Sequence, residues 1–219
     1  MSRIGTLRSL RVQVVIAVIG SSLTAAACVK PSQSIVAAPM QQGSVVLVSH
    51  ADASPSSSAV TAGNRAYRWS RSGSLRLWVQ PWTDNDQSID HAELVDEAVK
   101  AWMRSNAVHI VSVSWPLDAD IRLYWSDKLP PSNPGVTMLY RGRSGQLTRA
   151  DVFVSITPAP WHIGTRERVL YATIAHELGH ALGLPHDASP RTLMHPAPLV
   201  TTVTDEDLAH LDALVRGGT

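Results

Sequence analysis

Residues 176–196 read HELGHALGLPHDASPRTLMHP and carry four histidines, His176, His180, His186 and His195, with one glutamate, Glu177. Imidazole nitrogens suit Zn²⁺, and a zinc site that does chemistry takes three protein ligands and keeps a fourth position for water. On a helix, His176 and His180 stand one turn apart on one face and can reach a single ion. Glu177 is offset by one residue from the first of them, so it need not bind. It can face the water instead, as a general base should. A helix that ran on would carry His186 out of reach. Gly183 permits a turn with positive φ and Pro185 stops the helix from resuming, so the chain can swing His186 back as the third ligand.

Chance does not account for this spacing. A chain of this composition produces HExxH about 0.008 times, and about 2 × 10⁻⁵ times once Gly183 and His186 are also required. The motif needs elements to position it, and their order is legible. Residues 75–80 (LRLWVQ) alternate apolar and polar, as a strand does. Asp90 with Glu93 resembles a capping box, and Leu94, Val95, Ala98, Val99, Trp102 and Met103 then give a helical apolar face to about residue 105. Residues 108–115, 120–125, 136–141 and 147–156 read as strands separated by turn residues. A helix over 166–182 carries the motif. Thr204 caps a last helix whose first turn holds Asp205, Glu206 and Asp207, where carboxylates favour the helix dipole. This order is α+β. His50, His91, His109, His162 and His210 are read as packed or solvated side chains.

The chain has 219 residues, with 16 Arg against 3 Lys and a net charge of +1. Three of those arginines lie in the first eleven residues, and without residues 1–27 the net charge is −2. No basic stripe remains for nucleic acid. Residues 1–27 have a positive start, an apolar stretch and a small-residue end at Ala25, Ala26 and Ala27, the pattern of a signal peptide. Cys28, the one cysteine, follows directly, so an internal disulfide is excluded. Its placement resembles a bacterial lipoprotein signal, although Ala25 stands where that pattern usually has Leu. The expectation is an exported protein, lipid-anchored through Cys28 on the outer side of the cytoplasmic or outer membrane, or simply secreted if Cys28 is an incidental thiol. Residues 28–65 are rich in Ser, Ala and Pro and read as a flexible tether, with a short apolar run at 44–48 that can pair as a strand. All seven tryptophans lie later, and residues 66–219 form the expected folded domain.

HELGHALGLPH resembles the HExxHxxGxxH zinc signature of the metzincin metalloproteases, and HALGLPH is closest to their matrixin branch. TLMHP resembles that family's methionine turn, and Ala119-Asp120-Ile121 and the last helix are similar to matrixin segments. The resemblance implies a twisted mixed sheet with two long helices, the active-site helix being followed by a small C-terminal subdomain that ends in a helix. It implies one catalytic Zn²⁺ on His176, His180 and His186, Glu177 activating water, and Met194 as an apolar floor under the ligands. It also implies that an extended polypeptide substrate pairs along an edge strand at 136–141. The expected function is therefore an exported, monomeric zinc endopeptidase. A zinc-retaining adhesion or binding lipoprotein without turnover, and a processing protease with one partner, are the alternatives. Several features depart from the pattern. There is no PRCGxPD-type switch, 130–135 lacks the histidine of a second zinc loop, and no calcium site can be assigned. His195 stands where relatives carry Tyr and is expected to line or brace the floor of the site. Asp187, where many matrixins have Ser, is a candidate either for steadying a ligand or for a turn role.

Overall fold

The computed structural model describes residues 44–49, 66–71, 73–83, 88–130, 133–156 and 165–217. The signal segment, Cys28, most of the tether, His50 and His162 lie outside the described residues. Six strands make one mixed sheet: β1 (Ser44–Ser49), β2 (Leu75–Val79), β3 (Ile110–Ser112), β4 (Ile121–Ser126), β5 (Gly135–Arg141) and β6 (Leu147–Ser155). Their order across the sheet is β1-β5-β6-β4-β2-β3. The ladders β6–β4, β4–β2 and β2–β3 are parallel, and those flanking β5 are antiparallel. Among the described residues, three α-helices complete the α+β fold: α1 (His91–Trp102), α2 (Arg166–Ala181) and α3 (Asp205–Arg216).

Strand alternation sorts the side chains. Leu75 and Leu77 of β2 and Ile121 and Leu123 of β4 are buried, each such side chain contributing about 1.5–3 kcal/mol. They join α1 residues Leu94, Val95, Ala98 and Trp102 and α2 residues Ile174, Ala175 and Leu178 in one core. Trp102 is fully buried, and its Nε1–H donates to Ala175 O across 2.8 Å, which pins α1 to α2. Trp69 Nε1–H donates to Ala181 O at 3.1 Å, satisfying a carbonyl that the end of α2 leaves without a helical partner. At the start of β4, Asp120 accepts from the Arg76 N–H and guanidinium of β2 and from Arg71, all within 3.1 Å. Burial would raise the Asp120 carboxyl, but those donors outweigh it and hold it below its ordinary value.

The structure corrects two boundaries and one implied sheet edge. The strand read at 108–115 shrinks to Ile110–Ser112, because parallel pairing with β2 spans only three residues and Pro116 opens a 3₁₀ turn. Trp115 and Leu117, which looked apolar enough for a strand and its turn, are 70% and 87% exposed. The first helix stops at Trp102, and Asp90 supplies the forward half of the cap by accepting from Glu93 N–H. The third correction concerns the peptide-docking edge implied at 136–141. Six successive pairs, from Ser44↔Arg141 to Ser49↔Val136, lay β1 antiparallel along β5. The apolar run at 44–48 thus forms the outermost strand, and β5 is internal.

Candidate metal centre

Thr165 caps α2 by accepting from Arg168 N–H. From Val169 onward α2 is buried almost without interruption, as expected of a helix enclosed on several sides. Small residues make that enclosure possible. A Cβ on Gly179 would stand 2.7 Å from the Trp102 ring and closer still to Met194 Sδ. Glycine here lets the turn methionine and the tryptophan of α1 press directly on the helix.

α2 ends as the spacing requires. Gly183 has φ +105°, its N–H donates to His180 O, and Leu184 N–H donates to Gly179 O at 3.0 Å. These two bonds and a left-handed glycine constitute a Schellman ending, with Pro185 next to prevent continuation. Glycine is required a second time at the same position, since a Cβ would overlap Tyr67 O. The reversal returns His186 to the two helical histidines. One ligating nitrogen from each of His176, His180 and His186 lies within 4.8 Å of the others.

Hydrogen bonds decide the tautomers. His176 Nδ1 lies 2.6 Å from Leu193 O, and His180 Nδ1 lies 2.9 Å from Leu184 O. A carbonyl can only accept, so each Nδ1 carries the hydrogen and each neutral ring presents its Nε2 lone pair. Those two Nε2 atoms face each other at 3.0 Å. Lone pairs at that distance repel unless a cation lies between them, and two nitrogens on a tetrahedral zinc stand about 3.4 Å apart. Three imidazoles, two of them oriented by backbone carbonyls, therefore fit a zinc ion.

The loop after α2 is fastened from α3. Asp207, fully buried, accepts from Leu193 N–H at 3.0 Å, Met194 N–H at 3.2 Å, Thr204 N–H at 2.8 Å and Thr204 Oγ1–H at 2.7 Å. Its role is far larger than easing the helix dipole: it locks Met194, 2% exposed, against Gly179 and holds Leu193, whose carbonyl orients His176. Asp187 takes the turn role. Its carboxylate accepts from Ser189 N–H and pairs with His210 Nδ1 at 2.8 Å, while its own N–H donates to Met194 O. His195 turns onto its own loop, where its Nδ1 meets Ala197 O at 2.8 Å. His91 stacks on Trp82 and His109 bonds Ser74, so among the described residues the cluster of possible ligands comprises three histidines.

Glu177 is fully buried. Its Oε2 accepts from Thr137 Oγ1–H at 2.6 Å, and its side chain lies against Gly135. In the sequence Gly135 read only as the end of a loop and Thr137 only as part of a strand, and Gly179 carried no signal. No local pattern marks a contact that joins positions forty residues apart.

Comparison with known proteins agrees with this geometry. Residues 68–214 match the matrixin family model. The chain is similar to human matrix metalloproteinase-20, with 27% identity over 134 residues, covering 59% of this chain and 27% of that protein. It is similar to rat stromelysin-1, 29% identical over 115 residues, covering 50% of this chain and 23% of that protein. Human matrilysin is 30% identical over 110 residues, covering 47% of this chain and 40% of that protein. The chain thus spans two fifths or less of the length of these relatives.

Proposed function

The chain belongs to the matrixin family, and we propose that it is a zinc-dependent endopeptidase acting on polypeptides in extended conformation. The observation that carries this reading is the set of buried His176 and His180 and half-buried His186, with buried Glu177 beside the first of them. When bound, zinc polarises a peptide carbonyl and makes water more acidic. Glu177 takes a proton from the attacking water as its oxygen bonds to the carbonyl carbon. It then returns that proton to the amine nitrogen as the C–N bond breaks, so the carboxylate is regenerated. Met194, seated on Gly179, closes the floor beneath the ligands with apolar atoms. A fully buried carboxylate held by a hydroxyl favours turnover over metal retention alone, since a pure binder has no use for a base in that position.

A substrate that docks by strand addition needs the outer edge of β5, where β1 lies. Docking there exchanges one antiparallel strand for another. Export and lipid attachment through Cys28 complete the reading and rest on the pattern of residues 1–28 alone. The test is to incubate the full zinc-loaded chain and its Glu177→Ala variant with a mixed peptide library and identify new termini by mass spectrometry. Cleavage by the wild type alone is expected. One zinc per chain with identical, uncut libraries would sink the enzyme reading.

A further inference from the structure

Glu177 reaches the site on a helix, but what holds its carboxylate comes from the sheet. Side chains two apart on a strand share a face, and Gly135 and Thr137 of β5 both meet Glu177. Thr137 is fully buried, and its Oγ1–H donates to Oε2 across 2.6 Å, a short hydroxyl hydrogen bond. The same Oγ1 lies 3.1 Å from the backbone O of Glu177, so the hydroxyl spans the root and the tip of one side chain. At Gly135 a Cβ would stand 2.5 Å from Glu177 Cγ and 2.6 Å from Oε1. The φ of Gly135 is not among the positive values. Close approach, not backbone freedom, is what requires glycine there.

We propose that Thr137 is a positioning residue for Glu177, seated with the help of Gly135. A glutamate has three side-chain torsions, and a general base works only from one arrangement toward the proton it takes. With Oε2 engaged by the hydroxyl and the methylene resting on the bare Cα of Gly135, rotation of the carboxylate is blocked. Exchange of the proton with water and amine then falls to Oε1. This inference rests on the peptidase reading. It also makes the strand that pairs with β1 the one that orients the base, because Thr137 is the residue opposite Val48 in that ladder.

The experiment uses the full zinc-loaded chain in five forms: wild type, Thr137→Val, Thr137→Ser, Glu177→Ala and the Thr137→Val/Glu177→Ala double variant. Thr137→Val keeps the shape and loses the donor. Its kcat should fall about 10- to 100-fold, with KM within about twofold and one zinc per chain. Thr137→Ser keeps the donor and should stay within about threefold of wild type in kcat. In the double variant the valine should slow nothing further, because the group it acts through is gone. Wild-type kcat in Thr137→Val, equal losses in Ser and Val, or additional slowing in the double variant would each overturn the proposal. Melting temperatures of the same proteins supply a readout without substrate. The loss from Thr137→Val should be larger with Glu177 present than in the Glu177→Ala background, and additive losses overturn the contact. Non-additive losses support the positioning even in a chain that cuts nothing, a result that would instead sink the peptidase reading.

Discussion

Glu177 is held by two elements that differ in how they do it. α2 carries the glutamate and two histidines, and its Schellman ending brings back the third within eleven residues of chain. β5 donates no ligand. It supplies one hydroxyl and one missing side chain from forty residues upstream. The helix region builds the ion site from spacing, and each of its parts is fixed by local geometry: a helical turn, a positive φ, a proline. The strand region shapes the base from contact, and its parts acquire meaning only after the sheet has formed. Identity of chemistry thus resides in α2, and orientation of chemistry in β5.

The largest effects should come from the helix side. His186→Ala is expected to weaken zinc binding by more than about 100-fold, measured by competition with a chelator, while leaving the β5 contacts intact. A comparable loss in His195→Ala would break the ligand assignment. Next, Gly183→Ala forces a Cβ onto Tyr67 O at a left-handed position and should cost about 3 kcal/mol in denaturant unfolding. A neutral result would mean the Schellman ending does not place His186.

On the strand side, the Val46→Pro/Leu47→Pro double variant probes β1. Backbone N–H groups alternate in direction along a strand, so one of the two prolines removes a donor facing β5. KM for extended peptides should drop about threefold to tenfold as the edge is vacated, with kcat and zinc content unchanged. An unchanged KM would show that substrate does not use that edge.

A smaller effect is expected outside both regions, at Asp120→Asn, which should cost about 1 kcal/mol because two half-exposed arginines are partly screened by solvent. The sign with pH follows from a folded-state value held below the ordinary 3.8. The carboxylate contributes fully above that value, and the contribution is lost as pH falls through the lower folded one. The gap between wild type and variant should therefore be constant near neutrality and close below about pH 4. A gap that widens in acid would contradict the ion-pair account. The smallest effect should come from His195→Ala, whose ring bonds its own loop at Ala197. Zinc affinity in that variant should stay within about twofold of wild type.

What could be read in the sequence follows the same division. His176, Glu177, His180, Gly183 and His186 are legible because helical periodicity and one glycine determine where they point. The order of strands and helices is legible for the same reason. Asp207 was visible only as a first-turn carboxylate, although it accepts from Leu193 and Met194, fourteen and thirteen residues upstream. Gly179 carried no signal of its own in the sequence, yet it is the seat of Met194 and Trp102. The apolar run at 44–48 could be recognised as a strand, but its partner could not, since the register of an edge pairing is set by the sheet it joins. Tertiary contacts of this kind leave no period in a single chain.

The most direct test of the account is zinc-edge X-ray absorption on the full chain loaded with one equivalent of zinc. Three imidazole nitrogens and one oxygen at about 2.0–2.1 Å are expected, and Glu177→Ala should leave that pattern unchanged. Four imidazole nitrogens, with His195 joining the site, or a sulfur from Cys28, would contradict the assignment of three ligands and a position for water.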